Sequence, residues 1–397
     1  MDLVPSFELT ETQQQLRSEI RRFVDNEIKP LDLNEYEWRD DPHERTPWDV
    51  VDAAGEMGLK NLAAPVEYGG MGASALTLTM AVEEIAVGDL GLAVLFDQTW
   101  KISRIIAEMA DDDLRERFFE DFIDDPRHIL AVTFTEPANG TNYIVDYEGM
   151  QFDTTAETDG DEWVINGHKH YISNGADAKT YVVFAQTDPN APAKDGTTAF
   201  LVPHDTEGFE VTHIHEKISQ RIVNNATLEF NDVRVPEEHV LGEVDRGKTR
   251  TGEVLKESHI EAGASVLGVA RRAFEDAWEY ANQRTQGGKP IVEHQVIGHD
   301  FAQMATEIQA ARSLLWTAAR AVDEQGESYD HEHGHMAKVF AADTAVDVTE
   351  RALTKFGGSG IMLETPIQKY HRDALSFQHS DGTQEGHREN ILDHMST

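Results

Sequence analysis

Apolar residues in the first third of the chain recur at the spacing of amphipathic helices. The first helical face is marked by four of them, Leu16, Ile20, Phe23 and Ile28. Thr10 and Gln13 have the spacing of a capping box at the start of this segment, and Pro30 marks its end. Residues 76–100 form a longer apolar run, which predicts one long helix. The first third is therefore predicted to be helical.

The pattern changes near residue 130. Short apolar runs between turn residues predict strands at residues 181–184, 198–202 and 226–230. Asn166-Gly167 lies between two such runs, residues 163–165 and 168–172, and predicts a hairpin with a two-residue turn. Helical spacing returns after Arg250.

Together these patterns predict an α+β fold in three parts. An N-terminal all-helical domain over residues 1–128 is followed by a middle antiparallel β domain over residues 129–240. A C-terminal four-helix bundle over residues 241–397 completes the chain. A chain of 397 residues exceeds the size at which single cores stop growing, which agrees with several structural units.

Acidic residues dominate the composition. The chain has 73 Asp and Glu against 34 Lys and Arg, a formal net charge of -39, which would repel nucleic acid. The acidic residues are spread along the chain without an acidic tail, and this distribution predicts a halophilic source. The absence of cysteine excludes disulfides and thiolate sites. No uncharged stretch is long enough to span a bilayer, so we expect a cytoplasmic protein without membrane insertion.

Several segments carry groups suited to chemistry. Residues 133–142 combine hydroxyls with flexible backbone, although such a segment alone is typical of a turn. Tyr171 and Ser173 would project from one side of a strand, where a ring and a hydroxyl can meet the same ligand. Near the C-terminus, Asp381 supplies a carboxylate, and Gly382 lets backbone approach whatever lies in front of it. A carboxylate in such a place can deprotonate a carbon acid.

The order of the motifs resembles that of the acyl-CoA dehydrogenase family. The motifs are Thr135-Glu136-Pro137 with Gly140, Tyr171 to Gly175, Asp232 to Pro236, Phe356 to Gly360, Arg372-Asp373 and Asp381-Gly382-Thr383. Family members carry Glu-Gly-Thr at the last position and use that Glu to remove a proton α to a thioester. The resemblance covers essentially the whole chain. It implies FAD-dependent α,β-dehydrogenation of an acyl-CoA, with Asp381 as the base.

The resemblance also implies roles for individual residues. The expected flavin-binding residues are Phe134, Thr135, Gly140, Thr141, Tyr171, Ser173, Arg284, His294, Gln295, Gly357, Gly358 and Thr383. The expected substrate-binding residues are Thr141, His259 and Gly382. In the family, the segments matching Arg284 and Gly357 reach the flavin of a neighbouring subunit, which implies a homo-oligomer, a dimer or a tetramer. An electron-transfer flavoprotein is the implied electron acceptor.

The sequence departs from the family pattern at the base itself. Asp is one methylene shorter than Glu, and a misplacement of roughly 1 Å can cost about 100-fold in rate. His259 replaces an Arg that helps hold CoA in several members, and Ser258 stands where some members have an alternative Glu. These departures leave two alternatives open: a nitroalkane-oxidase-like flavin oxidase that uses the same Asp, and a catalytically silent flavin-binding subunit.

Two other groups of residues have a structural and a functional interpretation. His331, His333 and His335 alternate in a polar stretch, where a solvated loop is favoured over a metal site, so no metal is expected. Asp97 lies on a predicted apolar helix and can end an acyl pocket, but a capping or exposed acid is favoured.

Overall fold

The computed structural model describes residues 9–140, 144–145 and 149–396. The chain begins with six α-helices, α1 Glu11–Phe23, α2 Leu33–Glu37, α3 Trp48–Glu56, α4 Ala75–Ala86, α5 Leu90–Met109 and α6 Asp112–Asp124. The predicted capping box is present at α1. Thr10 Oγ1 accepts from the Gln13 amide at 3.2 Å, and Gln13 Oε1 accepts from the Thr10 amide at 3.0 Å.

The prediction of one helix over residues 76–100 is wrong, because the chain turns between α4 and α5. Gly88 packs so closely that a Cβ there would lie 2.9 Å from Ile28 Cγ2. The next residue, Asp89, begins α5 by accepting a hydrogen bond from the Leu92 amide at 2.9 Å. The close-packed glycine and the N-cap aspartate both lie within an apolar run. The helical spacing of that run continues past them, so the sequence pattern does not reveal the break.

The middle of the chain forms an eight-stranded sheet in the order β6-β7-β3-β2-β4-β5-β8, with β1 beside β4. Its strands are β1 Leu130–Thr133, β2 Thr155–Asp159, β3 Glu162–Ser173, β4 Thr180–Gln186, β5 Thr197–Pro203, β6 Phe209–Ile214, β7 Asn225–Pro236 and β8 Val240–Leu241. The short helix α7 Ala193–Gly196 lies between β4 and β5. The pairing is largely antiparallel, as predicted, although β1 joins β4 in parallel.

The hairpin predicted at Asn166-Gly167 is wrong, since both residues lie within the continuous strand β3. The hairpin turn is instead at Gly160, between β2 and β3. Gly167 has φ +139°, and a Cβ there would lie 2.6 Å from Thr154 Cα. The pairing of β3 with β7 shifts register at this point, so the glycine lies at a β-bulge and not in a turn.

Helices return after the sheet. They are α8 Gly247–Val254, α9 Ser258–Gln283, α10 Gln295–Gln325, α11 Glu332–Lys355, α12 Ile367–Ser376 and α13 Gln384–Met395. A two-stranded ribbon, β9 Thr285–Gln286 with β10 Lys289–Pro290, joins α9 to α10. No helix among the described residues is both long and apolar enough to cross a membrane. The domain boundaries at residues 128 and 240 stay predictions.

The core is shared between the two ends of the chain. Ile20 and Leu92 from the first helices lie in one buried cluster with Leu267 and Met304 from the last. The sheet buries both faces, because alternate residues of β4 enter different clusters. Val182 packs towards α5 and α6. The residue that follows it in β4 points to the other face and packs among residues of β3 and β7. This arrangement brings α5, the sheet and α9 together around one cavity.

Candidate functional site

A cavity of about 820 Å³ lies where α5, β3, the starts of α9 and α11, and the loop before α13 meet. Nine of the predicted site residues line it, and they come from distant parts of the sequence. They are Phe134, Thr135, Gly140, Tyr171, Ser173, His259, Asp381, Gly382 and Thr383. Thr141, predicted to bind both flavin and substrate, lies outside the described residues.

Asp381 is held in an unusual backbone turn at the wall of this cavity. Its φ is +53° and that of Gly382 is +86°, both in the left-handed region that only glycine adopts freely. His387 Nε2 contacts the Asp381 carbonyl oxygen at 2.8 Å, and Lys338 Nζ donates to the Gly382 carbonyl at 2.8 Å. Thr383 Oγ1 accepts from the Gly386 amide and begins α13. Buried side chains therefore stabilise a strained turn that carries the carboxylate.

The carboxylate of Asp381 has one close partner. His259 Nδ1 lies 3.0 Å from Oδ2, and Ser258 Oγ lies 3.5 Å from Oδ1. Burial alone would raise the pKa of Asp381. The Lys101 charge and the hydrogen bond from His259 outweigh burial and hold this pKa well below its ordinary value. Asp381 is therefore ionised at neutral pH, the form that accepts a proton.

Three histidines pack together behind this carboxylate. The His259 ring lies 4.7 Å from the rings of His335 and His387, and the Nδ1 atoms of His335 and His387 are 2.8 Å apart. Burial and the neighbouring imidazoles lower the pKa of His335 to about 2 and that of His387 to about 3, so both are neutral at pH 7. The solvated loop predicted for His335 is wrong, since it is buried in α11.

The ring nitrogens of these three histidines lie within 4.8 Å of one another, a spacing at which imidazoles can share a metal ion. His335 and His387 were not recognised from the sequence as members of one site. In the sequence, His335 was visible only as one of several alternating histidines around the start of α11. The two other histidines of the cluster lie more than 50 residues from it. The absence of a metal site stays a prediction.

Lys101 is a buried charged residue of the cavity that the sequence patterns did not mark as part of a site. It lines the cavity from α5, is 3% exposed, and its Nζ lies 2.7 Å from Asp97 Oδ2. Asp97 is buried as well, so its interpretation as a capping or exposed acid is wrong. The spacing of four residues between the two charges, inside an otherwise apolar helix, was the available sequence signal.

Another part of the cavity wall presents an aromatic ring and hydroxyls. Asn225 Nδ2 donates to the Tyr171 carbonyl at 2.7 Å and to Ser173 Oγ at 3.2 Å, which leaves the Ser173 proton available to a ligand. The Tyr171 side chain is exposed at the cavity edge. A Cβ placed on Gly140 would meet no atom of the described residues within 4 Å, so these residues leave space in front of that backbone. This wall fits a flat, polar-edged ring system such as that of a flavin.

Five predicted flavin-binding residues lie outside the cavity, Arg284, His294, Gln295, Gly357 and Gly358. Arg284 ends α9 and Gln295 begins α10. His294 Nε2 lies 3.0 Å from the Gln286 carbonyl oxygen, and a Cβ on Gly287 would lie 3.1 Å from the His294 ring. Within one chain, the fold does not bring these residues to the cavity, so their contact with a flavin stays a prediction.

Comparisons with known proteins identify the family of the chain. Residues 10–125, 131–233 and 245–396 match the family models for the acyl-CoA dehydrogenase N-terminal, middle and C-terminal domains. A short-chain specific acyl-CoA dehydrogenase of Clostridium acetobutylicum is 32% identical over 96% of each chain.

Two solved structures extend the likeness. Butyryl-CoA dehydrogenase from Megasphaera elsdenii is 30% identical with a TM-score of 0.89, covering 98% of this chain and 100% of that one. A glutaryl-CoA dehydrogenase from Mycobacterium smegmatis in complex with FADH2 is 26% identical with a TM-score of 0.87, covering 98% and 95%. The chain belongs to the acyl-CoA dehydrogenase family.

Proposed function

We propose that this protein is an FAD-dependent acyl-CoA dehydrogenase that removes hydrogen from the α and β carbons of an acyl-CoA thioester. The observation that carries the proposal is an ionised carboxylate, Asp381, in a cavity that is also lined by residues that fit a flavin. Family membership over nearly the whole chain supports the same activity. Among the described residues that line the cavity, none favours a nitroalkane over a thioester.

The residues that would hold FAD form the hydroxyl-bearing wall. Thr135 and Ser173 offer hydroxyls to the ring edge, the Tyr171 ring can stack on it, and the open backbone at Gly140 leaves room for close approach. When bound, FAD supplies the acceptor for the β-hydrogen, which leaves the substrate as hydride.

Asp381 would remove the α-proton. His259 fixes Oδ2, so Oδ1, with only Ser258 at 3.5 Å, is the oxygen free to accept the proton. The Asp381 backbone N–H donates no hydrogen bond within the described residues, which leaves it for the thioester oxygen as negative charge develops there. A carboxylate with a depressed pKa is a weak base, so catalysis would depend on this positioning.

The CoA portion would leave the cavity past α7 and α8. Lys194 and Lys248 line this edge, with Thr249 Oγ1 donating to the Lys194 carbonyl at 2.8 Å. In a chain with net charge -39, two cations at one cavity edge favour the binding of phosphate groups there.

Reduction of the bound flavin tests the proposal. The purified holoenzyme should lose its flavin absorbance when mixed anaerobically with acyl-CoAs of a suitable chain length. A panel from two to sixteen carbons covers the unknown length. If none of these acyl-CoAs lowers the flavin absorbance, the proposal is contradicted. Turnover of nitroethane would support the oxidase alternative.

Assembly and electron transfer are parts of the same proposal. We propose a homo-oligomer, a dimer or a homotetramer, in which Arg284, His294, Gln295, Gly357 and Gly358 reach the flavin of a neighbouring subunit. Their position outside the cavity of their own chain supports this role. Sedimentation should give a mass of at least twice 44.4 kDa. Arg284→Ala should weaken FAD retention without changing that mass.

We also propose that an electron-transfer flavoprotein reoxidises the enzyme in a halophilic cytoplasm. The net charge of -39 supports the salt requirement, because exposed carboxylates repel one another unless they are screened. The melting temperature should rise between dilute buffer and molar salt. Full stability in dilute buffer would argue against a halophilic source.

A further inference from the structure

Three histidines from three helices meet behind the loop that carries Asp381. His259 lies on α9, His335 on α11 and His387 on α13. Their ring centroids are 4.7, 4.7 and 5.0 Å apart. Imidazoles bound to one tetrahedral metal ion, with metal–nitrogen distances of about 2.0–2.1 Å, place their ring centroids about 5 Å apart. The three rings therefore already have the spacing of a three-histidine metal site.

Contacts with Asp381 fix the protons of two of these histidines. The ionised carboxylate and the main-chain carbonyl of Asp381 can only accept hydrogen bonds. His259 therefore donates to Oδ2 through Nδ1–H, and His387 donates to the carbonyl oxygen through Nε2–H. In the neutral rings, His259 Nε2 and His387 Nδ1 then carry the lone pairs. Metal-binding histidines almost always donate their other N–H to a carboxylate or a backbone carbonyl in this way.

The third histidine, His335, supplies the remaining nitrogen. Its Nδ1 lies 2.8 Å from His387 Nδ1, and it donates in this contact because His387 Nδ1 carries a lone pair. A tetrahedral zinc ion would hold two such nitrogens about 3.3 Å apart, so a shift of roughly 0.5 Å makes room for an ion. The ion would take the place of the shared proton, which moves to His335 Nε2, 3.5 Å from Asn390 Nδ2.

An ion can reach this group from the cavity. His259 and His335 line the cavity, so a solvent molecule on that side can complete the coordination of a four-coordinate ion. The sequence favoured no metal because it placed the alternating histidines in a solvated loop, but His335 is buried in α11. Imidazole nitrogen suits zinc, nickel and copper, whereas magnesium prefers oxygen ligands. The chemistry of the group thus favours an ion of the zinc class.

We propose that His259, His335 and His387 together bind one divalent transition-metal ion of the zinc class. The ion would connect α9, α11 and α13, and its ligands hold Asp381 through both its carboxylate and its carbonyl oxygen. Metal binding would therefore stabilise the loop that carries Asp381. This inference goes beyond the proposed dehydrogenase function and does not depend on it, because the ion is detected directly.

The test measures zinc on the purified holoenzyme. The protein is treated with a chelator and reloaded with Zn²⁺ in molar salt and excess Mg²⁺, and its zinc content and melting temperature are determined. Magnesium competes for the many acidic side chains of this chain but not for imidazoles. We expect one tightly held zinc ion per chain and a melting temperature that rises with zinc concentration. Failure to retain zinc, or an unchanged melting temperature at saturating zinc, would overturn the inference.

Variants assign the ion to the histidines. His259→Gln, at the most exposed of the three positions, and His335→Gln should each weaken zinc affinity by about 100-fold or more, the upper end of what loss of a supporting partner costs. Each should also abolish the rise in melting temperature. Circular dichroism checks both folds, and His259→Gln decides the matter if His335→Gln does not fold.

The matched control is a second group at the surface with metal-binding side chains, Asp330, Glu332 and His394. His394→Gln should leave the zinc content and the melting temperature response unchanged. Zinc that is lost in His394→Gln but retained in His259→Gln would belong to the surface group, and the inference would be wrong. Zinc retained with wild-type affinity in both His259→Gln and His335→Gln would overturn it as well.

Discussion

The molecule buries two groups of charged residues that are built in opposite ways. The first, the ion-pair cluster, comprises Glu83 and Glu84 of α4 with Arg17, Arg271 and Arg312. The second, the cavity cluster, comprises Asp97, Lys101, Glu261 and Asp381. In the ion-pair cluster, both oxygens of each Glu contact an Arg. In the cavity cluster, Lys101 pairs with Asp97 at 2.7 Å and Arg104 lies 3.8 Å from Glu261, so the acids outnumber the cations close to them.

The difference extends to protonation. Burial would raise the pKa of Glu84, but Arg271 and Arg17 outweigh it and hold the pKa below its ordinary value. For Glu261, burial and the Asp97 charge both raise the pKa. The arginines around Glu84 thus keep it charged, whereas Glu261, with fewer cations near it, is neutral. A buried acid whose oxygens each contact an arginine stays charged, whereas a buried acid beside another acid keeps its proton.

The largest expected effect is on catalysis. Asp381→Asn keeps the shape of the side chain and removes its basicity, so flavin reduction by the best acyl-CoA should slow by about 10²- to 10⁴-fold. Stopped-flow absorbance measures the rate, and circular dichroism checks the fold. Asp343→Asn, an exposed acid on α11, serves as the control. A variant at Asp381 that still reduces flavin at the wild-type rate would remove this residue from catalysis.

The next effect is on stability and belongs to the ion-pair cluster. Glu84→Gln takes the Glu84 carboxylate away from the buried Arg17 and leaves Arg271 mainly with Glu83, which should cost about 3–5 kcal/mol in the free energy of unfolding. Glu275→Gln, a half-buried partner 3.8 Å from Arg271, should cost less than about 1 kcal/mol. Denaturant unfolding measures both. Equal costs would mean that the cluster is not a structural unit.

The two clusters should also differ in pH dependence. Folded Glu261 keeps its proton above pH 4.3, where the unfolded chain releases it, so its contribution to stability falls as pH rises above that value. Glu261→Gln should therefore gain stability relative to wild type between pH 4 and 8, by about 1.4 kcal/mol for each unit by which the pKa is raised.

Glu84 should behave in the opposite sense. Its folded pKa is lowered, so its contribution is present above about pH 4.3 and is lost as pH falls through the folded pKa. The deficit of Glu84→Gln should thus shrink in acid. Unfolding midpoints of both variants and wild type across pH 3 to 8 measure these slopes. Parallel slopes would contradict the contrast between the clusters.

The smallest effect is expected on the surface. Arg117 Nη2 lies 2.8 Å from Glu238 Oε1, and both side chains are about half exposed. Arg117→Gln should change the free energy of unfolding by less than about 1 kcal/mol, and molar salt should reduce even that. A larger cost would show that charge alone, without burial, is enough to make a structural pair in this protein.

The family motifs marked several residues that line the cavity. Thr135, Ser173 and Asp381 are among them, and their roles stay predictions. Lys101 and the buried His335 were not foreseen, since each becomes part of the site only when α5 or α11 packs beside the loop that carries Asp381. The partner of Asp381, His259, was expected to contact substrate, and its bond to the carboxylate spans 122 residues.

The sequence by itself determined the fold class, the capped first helix, strands β4, β5 and β7 of the sheet and the carboxylate beside a glycine. Those features depend on periods of two or 3.6 residues and on short-range turn chemistry, which neighbouring residues encode. Only the tertiary structure decided the break at Gly88, the bulge at Gly167 and the pairing state of each buried charge. A close approach, or a missing hydrogen-bond partner, is a property of two segments packed together, and no local pattern specifies it.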